Sequence, residues 1–522
     1  MASKTLFSSA SSRGPETDTV NRAGGRAYKL ENKHALAQLA ATGCLSDTFY
    51  ADARTQLAEV VDLCQAVDPK FIAKVALYSR KKGYMKDMPA ILCAYLSTVD
   101  THLLREVFNK VIDNPKMLRN FVQIMRSGAV GRKSLGTAPK NLILNWLANQ
   151  DDDDIFRASV GNDPSMVDII KMVHPRPATK KREALYAYML GRKYNARNLP
   201  ALVKTYEKFK TSDNIEKVPN VPFQMLTSWD LDNSVWEEII KNAGWHMIRM
   251  NLNTFERNKI FENKKMIKLV VDKLRDENLI KRSRVFPYQL LAAYMAYDGR
   301  HEIQEALQDA MEIAVSNVPK IDGQVLLFPD VSGSMHSAVT GNRKGATSAV
   351  RCVDVAALVS SVFLRENKSA VVIPFSTRAH TERLNPRDSI MTNATRLANF
   401  CGGGTDCSAP LSFANTLKMN ADLCIYISDN ESWFSTNNKT YHWGAQSRTD
   451  TMSEWKKFKS RNKKAKMVCL DINPEPSTQA KENNDILNIG GFSDVVFDII
   501  AEFYNGKLNV NHWVGLIDEL AV

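Results

Sequence analysis

From about residue 28 to residue 318 the apolar positions recur every three or four residues and β-branched alternating runs are scarce, which is the spacing of amphipathic helices. The stretch DPKFIAKVALYSRKKG opens on an Asp-Pro cap and stops at Gly83. KDMPAILCAYLSTV, DTHLLREVFNKVID and NPKMLRNFVQIMRSG follow at similar length, each with its own punctuation. Such helices in tandem, joined by short turns, predict stacked helical pairs of the α-solenoid kind, each pair burying its apolar face against its neighbours. No sharp consensus repeat accompanies the pattern. Segments such as SMVDIIKMVH, KKREALYAYMLG, LPALVKTYEKFK and EIQEALQDAMEIAVSNV continue it.

After Pro319 the period changes. Short apolar runs in QVLLFPD, SAVVIPFS, ADLCIYISD, KAKMVCLDIN and DVVFDII predict buried strands, with ATSAVRCVDVAALVSSVFLRE and APLSFANTLKM as helices between them. Strand and helix in alternation call for a mostly parallel sheet, Rossmann-like, whose sites form at the carboxyl ends of its strands. The expected fold class is therefore α plus α/β. Residues 1–25 are expected to form a disordered lead-in, 26–319 an α-helical repeat region and 320–522 an α/β domain.

Composition changes this picture little. A chain of 522 residues, 44% hydrophobic and 24% charged, is a globular mix too long for one ordinary core. The longest apolar run, VDVAALVSSVFL, contains Asp354 and falls short of the roughly 18 residues that a membrane span needs. The opening MASKTLFSSASSRGPETDTVNRAGG has no apolar signal core, and Glu16 and Asp18 argue against a transit peptide, so a cytoplasmic protein is expected. The eight cysteines (44, 64, 93, 352, 401, 407, 424 and 469) show no CxxC and no paired Cys/His spacing, and are expected to be reduced, buried hydrophobes.

Charge says more once it is placed along the chain. Residues 321–522 hold 21 Lys+Arg and 21 Asp+Glu, so the whole net charge of +12 lies in residues 1–320. That asymmetry points to a polyanionic partner for the helical region. A Lys-rich solvated helical surface is the plainer alternative.

The candidate chemistry sits at strand ends. FPDVSGSM places Asp330, Ser332 and Ser334 after one strand, ISDNE places Asp429 after another, and CGGGTDCS offers Thr405 on a Gly-rich loop. Two carboxylates and three hydroxyls are hard oxygen donors of the kind that Mg²⁺, or Mn²⁺, takes. DxSxS alone is a weak signal; the three pieces on one sheet are a strong one. DVSGSM, GGTD and ISDNE resemble the metal-ion-dependent adhesion site of von Willebrand factor type A domains, with Asp330, Ser332, Ser334, Thr405 and Asp429 at the matching positions. The resemblance implies an ion that keeps an open position for a partner's carboxylate, which is binding and not turnover.

The helical region resembles the module shared by telomerase-associated and Ro ribonucleoproteins (TROVE). The resemblance runs from NRAGGRAYKL onward and includes FVQIMRSGAVGRKSLGTAPKNLILNWLAN, DIIKMVHPRP and FPYQLLAAYMAYDGR, with the last helix passing directly into the DVSGSM strand. It implies a monomeric ring of HEAT-like repeats closed by the von Willebrand-like domain. It also implies small structured non-coding (Y-like) RNA on the outside and single-stranded ends of misfolded RNA in the hole. An exoribonuclease or another protein is a candidate partner through the metal site.

Phosphate contacts need Arg and Lys. The densest basic stretch, KMVHPRPATKKRE, supplies Lys171, His174, Arg176, Lys180, Lys181 and Arg182. By resemblance His174 belongs to the RNA-binding face and Arg157 shares it; Arg126, Arg132 and Lys133 form a second cluster. A capped or core His174 and a merely solvated helix start at Lys180–Arg182 are the alternatives. No Walker loop, HExxH or GxSxG elbow is present, so no enzyme is expected. Two rival readings stay open: a metal-dependent protein-interaction scaffold without RNA, and a metal-dependent nuclease.

Overall fold

The computed structural model describes residues 15–43, 45, 51–211, 218–226, 229, 231–285, 287–315, 320–339, 350–382, 384–400, 402–433, 449–491, 494–508 and 511–522. The chain divides into two compact units. One gathers Met1–Val67, Val285–Ala296 and Met311–Leu520; the other is built from Asp68–Arg284 and Tyr297–Ala310.

The first unit holds a five-stranded parallel sheet. Its strands are β3 (Val325–Pro329), β4 (Val371–Val372), β5 (Leu423–Ser428), β6 (Lys466–Asp471) and β8 (Ile486–Gly490), in the spatial order β4-β3-β5-β6-β8. β3, β5 and β8 are buried along their whole length, which is why β3 and β5 read as continuous apolar runs without alternation. Successive side chains still point to opposite faces. Leu326, Phe328, Cys424, Tyr426, Met467 and Cys469 pack with Leu411, Met452, Trp455 and Phe458 from helices Ala409–Thr416 and Asp450–Arg461. Helix Cys352–Glu366 packs against β3 and β5. From β3 the chain winds to β4 on one side and to β5 on the other, so the strand order reverses between β3 and β5, the position at which open α/β sheets form their sites.

Three expectations need correction or completion. DVVFDII is not a strand but the start of helix Asp494–Tyr504: Val496, Phe497, Ile500 and Phe503 are buried at helical spacing, which the β-branched composition disguises. The fifth strand is Ile486–Gly490, where Asn488 breaks the apolar run; its side chain is bonded to Thr478 and Ala480 inside the fold. The lead-in expected over residues 1–25 differs in its second half. Here β1 (Thr19–Val20) pairs with β2 (Arg26–Lys29), which pairs with β7 (Ser477–Thr478) in a small antiparallel sheet. Tyr28 on β2 is buried in the core of the α/β unit, and helix Asn32–Thr42 lies against β8 and helix His512–Asp518. Cys44 and Cys401, and the first residues of the expected helix before Val350, lie outside the described residues. The other six cysteines are buried and free.

The second unit is helical, as the periodicity predicts. Helix Pro69–Lys81 packs on both Asp87–Val99 and Thr101–Val111, and Asp87–Val99 also packs on Pro115–Ser127, the neighbour pattern of stacked helix pairs. The caps foreseen at turns form: Asp68 accepts from Lys70 N–H, Asp100 from His102 and Leu103, and Asn114 from Met117. Pro139 sits in the first turn of helix Thr137–Ala148, where a missing N–H costs nothing. Among the described residues no helix is long and apolar enough to cross a membrane.

Candidate metal centre and nucleic-acid interface

The reversal point carries the acidic turn. Asp330 N–H donates to Ile427 O on β5 (2.9 Å), tying the two strand ends together. Its carboxylate accepts from Ser332 N–H (2.8 Å) and from the Ser428 hydroxyl (2.6 Å). The Ser332 and Ser334 hydroxyl oxygens stand 3.3 Å apart, and Ser334 also bonds the Asp429 carboxylate. Thr405 enters on the Gly-rich loop, which is latched to the same turn by Gly333 N–H to Gly403 O and Gly402 N–H to Val331 O, both 2.8 Å. Gly403 has φ +85°, and a Cβ on Gly404 would stand 2.7 Å from the Trp433 ring, so small residues are required there. Asp330, Ser332, Ser334, Thr405 and Asp429 are all buried.

Burial is the main force on the two carboxylates. It raises both above the usual range, and with the nearby Asp429 charge it pushes Asp330 up to about 7. Among the described residues neither carboxylate has a Lys or Arg partner within ion-pair distance. Two buried like charges beside the Ser332 and Ser334 hydroxyls fit a hard divalent cation, which would relieve the repulsion that now favours protonation. No richer group of three His, Cys, Asp or Glu ligands occurs among the described residues.

Sequence reasoning missed the surroundings of this turn. Ser428, the last residue of β5, holds Asp330 from the side. Asp471 at the end of β6 accepts from Gln38 Nε2 (2.7 Å) and Asn430; Glu431 accepts from Ala23 N–H (2.9 Å); Glu475 pairs with Arg22, which also reaches Glu59 at 2.7 Å. Burial is the first cause raising Glu431 to about 8 and Glu475 to about 7. The partners come from residues 22–38, more than 400 positions away for most, and no local motif signals them.

The basic residues divide on inspection. Arg157, His174, Arg176, Lys181 and Arg182 line one open cavity of about 820 Å³ in the helical unit. Asp151, Asp152, Asp153 and Asp154 line it too, so the four carboxylates balance the four permanent cations. Arg182 is structural: it binds Asp152 and the carbonyls of Leu147 (3.0 Å) and Gln150 (2.5 Å), joining two helices. Lys181 stands 3.3 Å from Asp152, and Arg157 binds Asp154 at 2.8 Å and Asn220 O at 3.0 Å. Arg132 reaches toward Ser97 O and lies against Gly136.

Arg126, Lys133, Lys171, His174, Arg176 and Lys180 remain exposed. His174 ends helix Met166–Val173 in the left-handed region (φ 53°) ahead of Pro175, with its side chain outside the core. Arg126 and Lys171 both bear on Asp168, which brings the two basic clusters of the sequence together. A further basic segment, Gly191–Arg197, is exposed throughout and was not singled out by charge density, because Tyr194 and Asn195 dilute it.

Comparison with known proteins agrees with both halves. Residues 324–504 match a family model described as the Ro60 vWA domain, and residues 217–302 match the TROVE domain. The RNA-binding protein RO60 of Deinococcus radiodurans is 22% identical, over 94% of this chain and 96% of its own. The protein of that name in Caenorhabditis elegans is 23% identical, over 87% of this chain and 71% of its own. The crystal structure of the Deinococcus radiodurans RO (RSR) protein superposes with a TM-score of 0.60 at 18% identity, covering 92% of this chain and 100% of that one. The class so defined joins a TROVE helical module to a von Willebrand factor A domain. Over most of its length the chain is similar to RO60 proteins of this class.

Proposed function

We propose that this chain is a cytoplasmic RNA-binding protein of the Ro type, acting in RNA quality control or stabilisation by binding and not by catalysis. Exposed basic side chains of the helical unit take the phosphates of a small structured, Y-like RNA, and single-stranded ends of misfolded RNA enter the hole of the ring that the family resemblance implies. The observation that carries this reading is the exposed set Arg126, Lys133, Lys171, His174, Arg176 and Lys180 in the part of the chain that holds the whole net charge of +12. Single strands are selected by shape and stacking, without base readout. The turn of Asp330, Ser332, Ser334, Thr405 and Asp429 is assigned to a divalent cation, Mg²⁺ or Mn²⁺, with an open position for a partner's acidic group, such as that of an exoribonuclease.

The balanced cavity favours one second reading, a metal-dependent interaction scaffold without RNA, since its four aspartates cancel four of the cations expected to meet phosphate. A nuclease is less favoured, because two carboxylates diluted by hydroxyls suit one exchangeable ion better than a two-ion clamp. The test is binding of the full chain to a stem-loop RNA with a single-stranded 3′ tail and to its blunt counterpart, at two salt concentrations. Tight, steeply salt-dependent binding that prefers the tailed RNA supports the Ro reading. No binding supports the scaffold, and fragmentation of the RNA supports the nuclease.

A further inference from the structure

Helix Lys180–Met189 ends in a loop that is held rigidly and yet points wholly into solvent. Gly191, at φ +66°, makes the turn, and Gly191 N–H to Tyr188 O (3.1 Å) and Arg192 N–H to Ala187 O (2.8 Å) close it. At the far end Asn195 Oδ1 accepts from Arg197 N–H (3.0 Å), Lys204 Nζ donates to Arg197 O (2.7 Å), and buried Leu199 anchors the exit. Every residue from Gly191 to Arg197 is exposed all the same.

Tyr194 stands in the middle of this loop, 42% exposed. Its ring meets Tyr188 at 74° with centroids 5.6 Å apart. Tyr188 meets Phe156 at 6.1 Å, and Phe156 meets Tyr206 at 5.4 Å. Phe156 is buried, so a chain of edge-on rings runs from the helical core out to Tyr194. Burial and the Glu207 carboxylate hold the Tyr188 phenol protonated, and it donates to Glu207, which fixes the ring that braces Tyr194. Arg192, Lys193 and Arg197 flank the exposed ring, and among the described residues none of them has an ion-pair partner.

An orientated aromatic ring among unneutralised cations offers stacking to any base and attraction to the phosphates on either side. The cavity at the other end of the same helix has its cations balanced by aspartates. The helix has 10 residues, so at 1.5 Å per residue the two ends lie about 15 Å apart.

We propose that Tyr194, with Arg192, Lys193 and Arg197, is a stacking platform for one base of single-stranded RNA. The proposal rests on the RNA-binding reading above and adds a site to it. The test uses the full chain and a labelled single-stranded oligouridine, alongside the same oligomer made abasic and the tailed stem-loop. Tyr194→Ala should weaken oligouridine binding about 5- to 150-fold, the worth of stacking one base on an aromatic ring. Tyr194→Phe should keep it, because the ring and not the hydroxyl does the stacking. The abasic oligomer should bind wild type weakly and lose almost nothing more on Tyr194→Ala, so that the two changes are not additive. Lys193→Ala should reduce the slope of log affinity against log salt by about 0.7, one phosphate's share on a single strand. If wild type binds oligouridine and Tyr194→Ala binds it equally well, the platform is wrong and the RNA reading stands. If wild type binds neither the oligomer nor the stem-loop, both fall. A thermal melt of each variant separates loss of binding from loss of fold.

Discussion

The acidic turn and the basic helix ends are opposite kinds of site. The turn is buried, and its carboxylates are held by neighbours two residues away or on the adjacent strand: Ser332 N–H, the Ser428 hydroxyl, the Ser334 hydroxyl. The basic surface is exposed, and what each cation can do depends on residues that local sequence does not show. Arg182 and Lys180 are two positions apart, yet one is tied to Asp152 and two carbonyls while the other is free to meet a ligand. Charge density finds a region; only tertiary contacts separate its structural cations from its available ones.

The largest effect expected from this contrast concerns the cation. At a Mg²⁺ concentration a hundredfold above its dissociation constant, wild type should gain about 2.7 kcal/mol of stability by mass action. Asp330→Asn should gain almost none, as thermal melts with Mg²⁺ or with chelator would report. An equal gain in both would remove the ion from Asp330.

A second contrast lies within the basic run. Arg182→Ala breaks a half-buried ion pair and two carbonyl bonds, and should cost about 1–3 kcal/mol of stability in denaturant titration. Lys180→Ala should leave the midpoint where it is and weaken RNA binding with a lower salt slope. If Arg182→Ala is stable and blind to RNA, its assignment as a structural cation fails.

The smallest effect is on pH. Asp330 and Glu475 titrate near 7 and Glu431 near 8 in the folded protein, all above their unfolded values. The folded state therefore binds these protons more tightly than the unfolded state. The stability they contribute is complete below about pH 4 and is lost as pH rises through 7 and 8. In chelator the α/β unit should melt lower at pH 8 than at pH 6, and Mg²⁺ should restore more at pH 8. A melt that rises across that interval would contradict the raised titration of these buried carboxylates.

Much of this was legible in the sequence. β3, β5 and β6 are unbroken apolar runs ending in Asp330, Asp429 and Asp471, and the helical caps at Asp68, Asp100 and Asn114 stand where the turns place them. Ile486–Gly490 was hidden because Asn488 interrupts it with a polar side chain satisfied only by Thr478 and Ala480 in the fold. Asp494–Tyr504 was misread because a β-branched run outweighed its helical spacing. The role of residues 19–38 was invisible, since β2 pairs with β7 some 450 positions away and Gln38 reaches Asp471 across a similar distance. Long-range pairing of a polar segment leaves no periodic trace.

The central claim is a division of labour: RNA on the helical unit, a divalent cation at the Asp330–Asp429 turn. Its most direct test is the affinity of wild type and Asp330→Asn for a single-stranded RNA with no fold of its own to lose, measured with Mg²⁺ and with chelator. The account predicts four affinities that agree closely, while Mg²⁺ stabilises wild type alone. RNA affinity that falls with Asp330→Asn and with chelation alike would contradict it, and would place the RNA at the metal turn.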